Sequence, residues 1–219
     1  MKSLFIHLFP LLTLLSACGA KYHEDLPVAG AKTEVKEALN QPEPAQENAT
    51  SQHELSPFFL EGHEVLDIQK GDINNDRLDD VILIQKATDE VETSDVIDHP
   101  TPRPLMLLLR QPNGELQLAA RNDYIVLCVD CGGMMGDPYQ GTTIKNNYFS
   151  VEHYGGSAWR WSRIITFKYQ SDSQHWYLHK DGGVSFHAAN PDSTMEESVK
   201  TVKDFGVIRF EDYKTDEAE

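Results

Sequence analysis

An acidic loop in the first half of the chain carries the residue types that bind a hard cation. It runs from Gly71 to Asp80 and its sequence is Gly-Asp-Ile-Asn-Asn-Asp-Arg-Leu-Asp-Asp. Calcium takes about six to eight oxygen ligands, and a tight loop can supply them when alternate side chains point inward. The predicted ligands are Asp72, Asn74, Asp76, the backbone carbonyl of Leu78, and Asp80. The competing interpretation is a solvated turn whose Asp and Asn side chains only cap backbone amides.

The flanks of this loop indicate which kind of calcium motif it is. An EF-hand needs glycine at its sixth position and glutamate at its twelfth, and this sequence has Arg77 and Leu83 there. With strand-like flanks, the segment from Val65 to Ile84 resembles the calcium loop of the FG-GAP and VCBS repeats found in integrin-type propellers and bacterial surface proteins. The resemblance implies a structural cation site at the five predicted ligands. Its usual form has glycine where Arg77 stands, and no second Asp-x-Asn-x-Asp follows, so a complete propeller is not expected.

Two cysteines form a Cys-x-x-Cys pair in the middle of the chain. Thiol-disulfide exchange would need a helix N-terminus after Cys128 to lower its pKa, but glycines follow Cys131, and the carboxylate of Asp130 would raise a thiol pKa. A zinc half-site would need two further ligands. We expect a local disulfide between Cys128 and Cys131, with redox chemistry and zinc binding as the alternatives.

Aromatic and histidine side chains are concentrated between residues 153 and 187. Alternate residues of a strand share a face, so Trp159 and Trp161 can lie together, as can Tyr177 and His179. An exposed row of this kind would suit a protein or glycan ligand, and these four residues are the predicted ligand surface. The other interpretation is that they form one face of a β core.

The histidines of this segment could also form an acid-base site. An envelope hydrolase would use His153, His179 and His187 with an acid such as Glu152, Asp137 or Asp181. The chain has no nucleophile elbow, zinc-protease motif, phosphate loop or dinucleotide fingerprint. We therefore expect a protein that has no catalytic residues. The envelope hydrolase is the alternative.

The N-terminus resembles a bacterial lipoprotein signal. Lys2 precedes an apolar run from Leu4 to Leu15, and Leu-Ser-Ala then leads into Cys18, which matches the lipobox. The resemblance implies cleavage before Cys18, acylation of its sulfur and an anchor in the cell envelope. In a Gram-negative host, Gly19 implies the outer membrane. An ordinary secretory signal or a transmembrane helix is the alternative, although the apolar run is shorter than a membrane span.

Composition limits the partners and divides the chain. A net charge of −16 repels phosphate backbones, so nucleic acid is not an expected partner. A stretch rich in Ala, Glu, Gln and Pro lacks apolar periodicity and predicts a disordered tether. The predicted organisation is a signal peptide (1–17), lipidated Cys18 with the tether (18–56), one β domain (57–213) and an acidic tail (214–219).

Short apolar and β-branched runs separated by turn residues predict a mainly β fold. They favour an antiparallel meander, sandwich or partial barrel, and Asn146-Asn147 predicts a tight hairpin because Asn tolerates positive φ. One short helix is expected near the C-terminus, over Met195–Val202, because Ser193 to Glu196 has the form of a capping box. Val207–Phe210 is the last predicted strand.

Overall fold

The computed structural model describes residues 53–215 and places them in two antiparallel sheets. Cys18, the signal peptide, most of the predicted tether and residues 216–219 lie outside the described residues. The first sheet contains β1 (His63–Gly71), β2 (Asp80–Ala87), β3 (Arg103–Arg110) and β4 (Leu116–Val126). The second contains β5 (Tyr139–Lys145), β6 (Tyr148–Gly156), β7 (Trp159–Gln170), β8 (His175–His187) and β9 (Glu196–Thr201). Each sheet is a meander in sequence order, which confirms the predicted fold class.

A shared apolar core lies between the two sheets, as in a β-sandwich. The first sheet contributes Ile82, Ile84, Leu105 and Leu107, and the second contributes Phe149, Val151, Ile165, Phe167, Trp176 and Leu178. The rings of Phe149 and Phe167 stack with centroids 5.2 Å apart, and Phe210 meets both of them edge-on. Burial of these side chains is the main source of the fold's stability.

A second apolar cluster covers the outer face of the first sheet. Val81, Leu83, Met106 and Leu108 lie there beneath Leu55, which is 1% exposed. β2 and β3 are therefore buried on both faces, which explains why their sequences are continuous apolar runs. The domain also extends beyond the predicted limits of 57 and 213, because Leu55 and Thr215 are both buried.

The remaining elements are short, and two of the C-terminal predictions are wrong. The helices are α1 (Glu90–Thr93), α2 (Pro191–Thr194) and α3 (Val202–Phe205), and 3₁₀ turns occur at Ser56–Phe58, Gly133–Met135 and Phe210–Asp212. Glu196–Thr201, expected to be helical, instead forms β9, because the open edge of β8 satisfies its backbone hydrogen bonds. The capping box belongs to α3, where Thr201 and Asp204 cap each other. Val207–Phe210 contributes only an isolated bridge, Tyr177 with Arg209.

The hairpin between β5 and β6 follows the prediction from its two asparagines. Asn146 and Asn147 have φ of 50° and 59°, the left-handed values that a two-residue hairpin turn requires. Within residues 53–215, no helix combines the length and apolarity needed to cross a bilayer.

Candidate functional site

The acidic loop connects β1 to β2 and is attached directly to the core. Gly71 pairs with Asp80 at its base, so the strand flanks are as predicted. Ile73 is fully buried within the loop, and the indole nitrogen of Trp176 donates to its carbonyl at 3.0 Å. Since Trp176 lies in the second sheet, the loop contacts both layers of the sandwich.

Three carboxylates of the loop converge. One oxygen from each of Asp72, Asp76 and Asp80 lies within 4.8 Å of the others. Calcium binds oxygen at about 2.3–2.6 Å, so two ligands on opposite sides of the ion lie up to about 5 Å apart. The cluster therefore has dimensions that fit calcium. Magnesium demands a stricter octahedral geometry at about 2.0–2.1 Å and gives up its waters reluctantly, so it suits a loop of this kind less well.

Backbone amides in the loop also bind these carboxylates. Asp72 accepts from the N–H groups of Asn75 (2.6 Å) and Arg77 (2.9 Å), and Asp76 accepts from the N–H of Leu78 (2.8 Å). Asn74 lies beside the cluster and donates its side-chain amide to Asp76 at 2.8 Å. The carboxylates therefore do accept hydrogen bonds from backbone amides, as the solvated-turn interpretation expects. These hydrogen bonds are compatible with a cation, because each carboxylate has about four lone-pair directions.

Arg77 occupies the position that has glycine in the usual form of this loop. Its φ is 74°, the left-handed region that glycine enters freely and other residues enter at a cost of about 1–2 kcal/mol. A glycine at this position would adopt the same φ without that cost.

Asp80 is the most buried of the three acids. It is fully buried, and its two oxygens accept from the N–H of Arg110 (2.9 Å) and of Ile73 (3.0 Å). Burial raises the pKa of Asp80 to about 6, and the charges of Asp76 and Asp72 add to that rise, while the two hydrogen bonds oppose it. A cation would stabilise the charged form.

The cysteine pair follows β4. The sulfurs of Cys128 and Cys131 lie at disulfide distance, with α-carbons 5.1 Å apart. Between them, Asp130 accepts hydrogen bonds from the Ser94 hydroxyl (2.7 Å) and the N–H of Val96 (2.9 Å). Asp130 therefore connects this turn to the segment after α1, and the disulfide stays a prediction that this geometry accommodates.

The structure does not bring the three candidate histidines together. His153 faces the sandwich interior and is 1% exposed. His179 lies on the outer face of the second sheet, with its ring centroid 5.0 Å from that of Tyr148. His187 lies on the inner face against Trp159, at 5.4 Å. His153 is in register with Gly183 of β8, through Arg163 of β7. His187 lies four residues beyond Gly183, which is about 13 Å further in the strand direction.

His153 is held neutral, which makes stability depend on pH. Its pKa is lowered from 6.5 to about 4, mainly by burial and also by the charges of Arg163 and Arg103, while the charges of Asp137 and Asp181 oppose the shift. The N–H of Leu127 donates to its Nε2 at 3.3 Å, so protonation would break that bond. Between pH 6.5 and 4 the unfolded state binds the proton and the folded state does not, so stability is lost as the pH falls.

We expect His153→Gln to remove this acid sensitivity. The loss in the wild type between pH 6.5 and 4 should be of order 3 kcal/mol, from the size of the shift. Urea unfolding at each pH gives the measurement, and His179→Gln, which removes an exposed imidazole, is the control. Asp80, whose pKa is raised to about 6, makes stability change in the opposite direction over the same pH range. The quantity to compare at each pH is therefore the difference in unfolding free energy between the wild type and His153→Gln. Equal pH slopes in the wild type and His153→Gln would contradict the prediction.

A buried ionic network lies next to this region, and sequence analysis did not identify it. Arg103 is fully buried at the start of β3. Its guanidinium forms two hydrogen bonds to Glu90 (2.7 and 2.9 Å) and two to Asp137 (2.7 and 2.8 Å). The three residues are far apart in sequence and belong to no motif, so only the tertiary structure reveals them.

The second sheet extends beyond the apolar core. Its inner face becomes polar past Ile165 and Leu178 and lines an open cavity of about 360 Å³. The lining side chains on that face are Trp161, Arg163, Asp181, Ser185, Glu196, Ser198 and Lys200.

The predicted ligand surface does not lie on one side of this sheet. Trp159 and Trp161 are on the inner face, since Trp161 pairs with Ser185 and Trp159 with His187. Tyr177 and His179 are on the outer face beside Tyr148. The four residues therefore divide between opposite faces, because the bulge between Thr166 and Phe167 changes the alternation along β8.

Comparisons of the chain with protein-family models, curated proteins and solved structures found no match.

Proposed function

We propose that this chain is a lipid-anchored protein of the cell envelope whose β domain is a non-catalytic binding module stabilised by one calcium ion. The observation that carries the proposal is the convergence of Asp72, Asp76 and Asp80 within 4.8 Å in the loop that connects β1 to β2. Asn74 and the carbonyl of Leu78 complete the proposed ligand set.

Two further observations support a binding module over the alternative hydrolase. His153 and His179 lie on opposite faces of one sheet, so they cannot act on one substrate. The inner face of the same sheet is open and holds Trp161 beside charged and hydroxyl groups, which is the composition of a ligand site.

Metal analysis of the purified domain tests the calcium site. After dialysis against calcium and then metal-free buffer, we expect about one equivalent of calcium in the wild type and almost none in Asp76→Ala, which loses a charged ligand. Asp79→Ala is the matched control, because it removes an equal charge from an exposed neighbour outside the cluster. Equal calcium contents in the two variants would count against the site.

The anchor depends on Cys18 and has its own test. The full chain, expressed with its leader in a bacterium, should appear in the membrane fraction with the added mass of acyl groups. Cys18→Ser should be unacylated and either soluble or retained as the precursor, since the sulfur is the point of attachment. Intact-mass spectrometry decides this, and a wild-type protein without acyl groups would refute the anchor.

A further inference from the structure

The open cavity on the inner face of the second sheet has a fixed aromatic wall. The ring of Trp161 lies against Gly155, where a β-carbon would come within 2.6 Å of its Cζ2 atom. A side chain at Gly155 would therefore displace the ring, so the glycine leaves room for the indole over β6. Trp159, 53% exposed, follows two residues further along the same face, about 7 Å away.

Beside this wall, polar groups are held in a fixed arrangement. Arg163 donates to Asp181 through two hydrogen bonds, at 2.8 and 3.0 Å, and both side chains are mostly buried. The hydroxyl of Tyr213 donates to the same carboxylate at 2.8 Å. Such a bidentate pair loses little side-chain entropy when a ligand arrives, because its geometry already exists.

Small residues create the space in front of these groups. Gly183 lies on β8 between Arg163 and Ser198, and a β-carbon there would come within 2.3 Å of the carbonyl of Ser162. Ser185 lies across from Trp161 on the same face. The result is a shallow site with an aromatic wall and hydroxyl groups opposite it.

The charged side chains on the inner face of the cavity are balanced. Arg163 and Lys200 are opposed there by Asp181 and Glu196, while Glu197, which also borders the cavity, pairs with Val184 and belongs to the opposite face of β9. The whole chain has a net charge of −16. The field of the protein repels an anion, and the balanced lining gives a cation no local advantage. A ligand that satisfies both the donors and the acceptors while covering an indole is neutral, has many hydroxyl groups and presents an apolar C–H face.

We propose that this cavity binds a neutral oligosaccharide. One pyranose ring stacks on Trp161, and its hydroxyls bond to the Arg163–Asp181 pair and to Ser185 and Ser198. Trp159 contacts the next sugar unit, which favours an oligosaccharide over a monosaccharide. The inference rests on the proposed function, in that it names the ligand class of the binding module.

The test uses an array of short neutral oligosaccharides of hexoses and N-acetylhexosamines, with acidic oligosaccharides and extended peptides as comparison probes. The tightest neutral binder is then titrated calorimetrically against the wild type and three variants. We expect Trp161→Ala and Ser198→Trp each to weaken binding at least about tenfold, by removing the wall and by filling the cavity. Val199→Trp is the matched control, because Val199 is the next residue of β9 and faces the opposite side. It should bind like the wild type.

Several results would overturn the proposal. These are failure of every neutral oligosaccharide to bind, binding that survives both cavity variants, equal loss in Val199→Trp, and capture of only acidic sugars or peptides. The calcium content and the thermal midpoint of each variant show whether it is folded. The calcium and lipid results stand apart from this titration, so a failed sugar site leaves the proposed anchor and metal site intact.

Discussion

Replacing Arg103 with methionine is expected to lower the free energy of unfolding by about 3–5 kcal/mol. The guanidinium is fully buried, and Glu90, which it binds, is only 1% exposed. Without Arg103, the Glu90 carboxylate remains in the interior without its main countercharge, since Lys86 lies further away at 3.7 Å. Urea unfolding measured by circular dichroism gives the change.

A second substitution separates the cost of the buried charge from the loss of packing. Glu90→Leu combined with Arg103→Met should recover part of the lost stability, because Asp137 is 38% exposed and can be hydrated. Arg121→Met is the control, since its ion pair with Asp123 lies at the surface, with the two side chains 39% and 30% exposed, and should contribute less than about 1 kcal/mol. If Arg103→Met costs no more than Arg121→Met, the ionic network does not stabilise the fold as described.

Chelation of calcium should lower the thermal midpoint of the wild-type domain. A ligand that binds only the folded state stabilises it by about 2.7 kcal/mol when its concentration is a hundredfold above Kd. Without the cation, Asp72, Asp76 and Asp80 repel one another, and Asp80 does so from a buried position. Magnesium should stabilise the domain less, because it prefers a stricter octahedral geometry and dehydrates reluctantly.

Asp76→Ala should abolish this calcium response while the sandwich still forms. Asp76 is exposed, so its side chain contributes nothing to the core. Asp79→Ala should keep the full response, because Asp79 lies outside the cluster. Thermal melts of all three proteins, with calcium and with chelator, give the comparison. A wild-type midpoint that does not change on chelation would make Gly71–Asp80 an ordinary acidic turn.

The parts of the structure that sequence analysis predicted are those governed by local chemistry. The acidic loop was predictable because the spacing of its Asp and Asn residues determines a turn, and its β-branched flanks favour strands. Both effects operate between residues that are close in sequence. The hairpin at Asn146 and Asn147 follows for the same reason. The apolar runs of β2 and β3 identified strands, although burial on both faces became clear only when Leu55 was seen to cover them.

The parts that could not be predicted depend on contacts between distant residues. Residues 196–201 form a strand because β8 offers an unpaired edge, which outweighs a helix propensity worth fractions of a kcal/mol per residue. The placement of Trp161 and Tyr177 on opposite faces follows from a bulge in the pairing of β7 with β8. The open cavity likewise exists because the second sheet extends past the apolar core. No local sequence pattern shows that a sheet will be longer than the core it covers.

The packing of Leu55 against the first sheet determines how the domain would bear mechanical load. In a lipid-anchored protein, tension arrives from the N-terminal side, and the first attachments it meets are Leu55, Phe58 and the ion pair of Glu54 with Arg110. These contacts lie on the outer face of the first sheet and can break one at a time, while the hydrogen bonds between β1 and β2 stay intact. Under tension applied from the N-terminal side, we therefore expect this segment to detach before the strands of the sandwich separate.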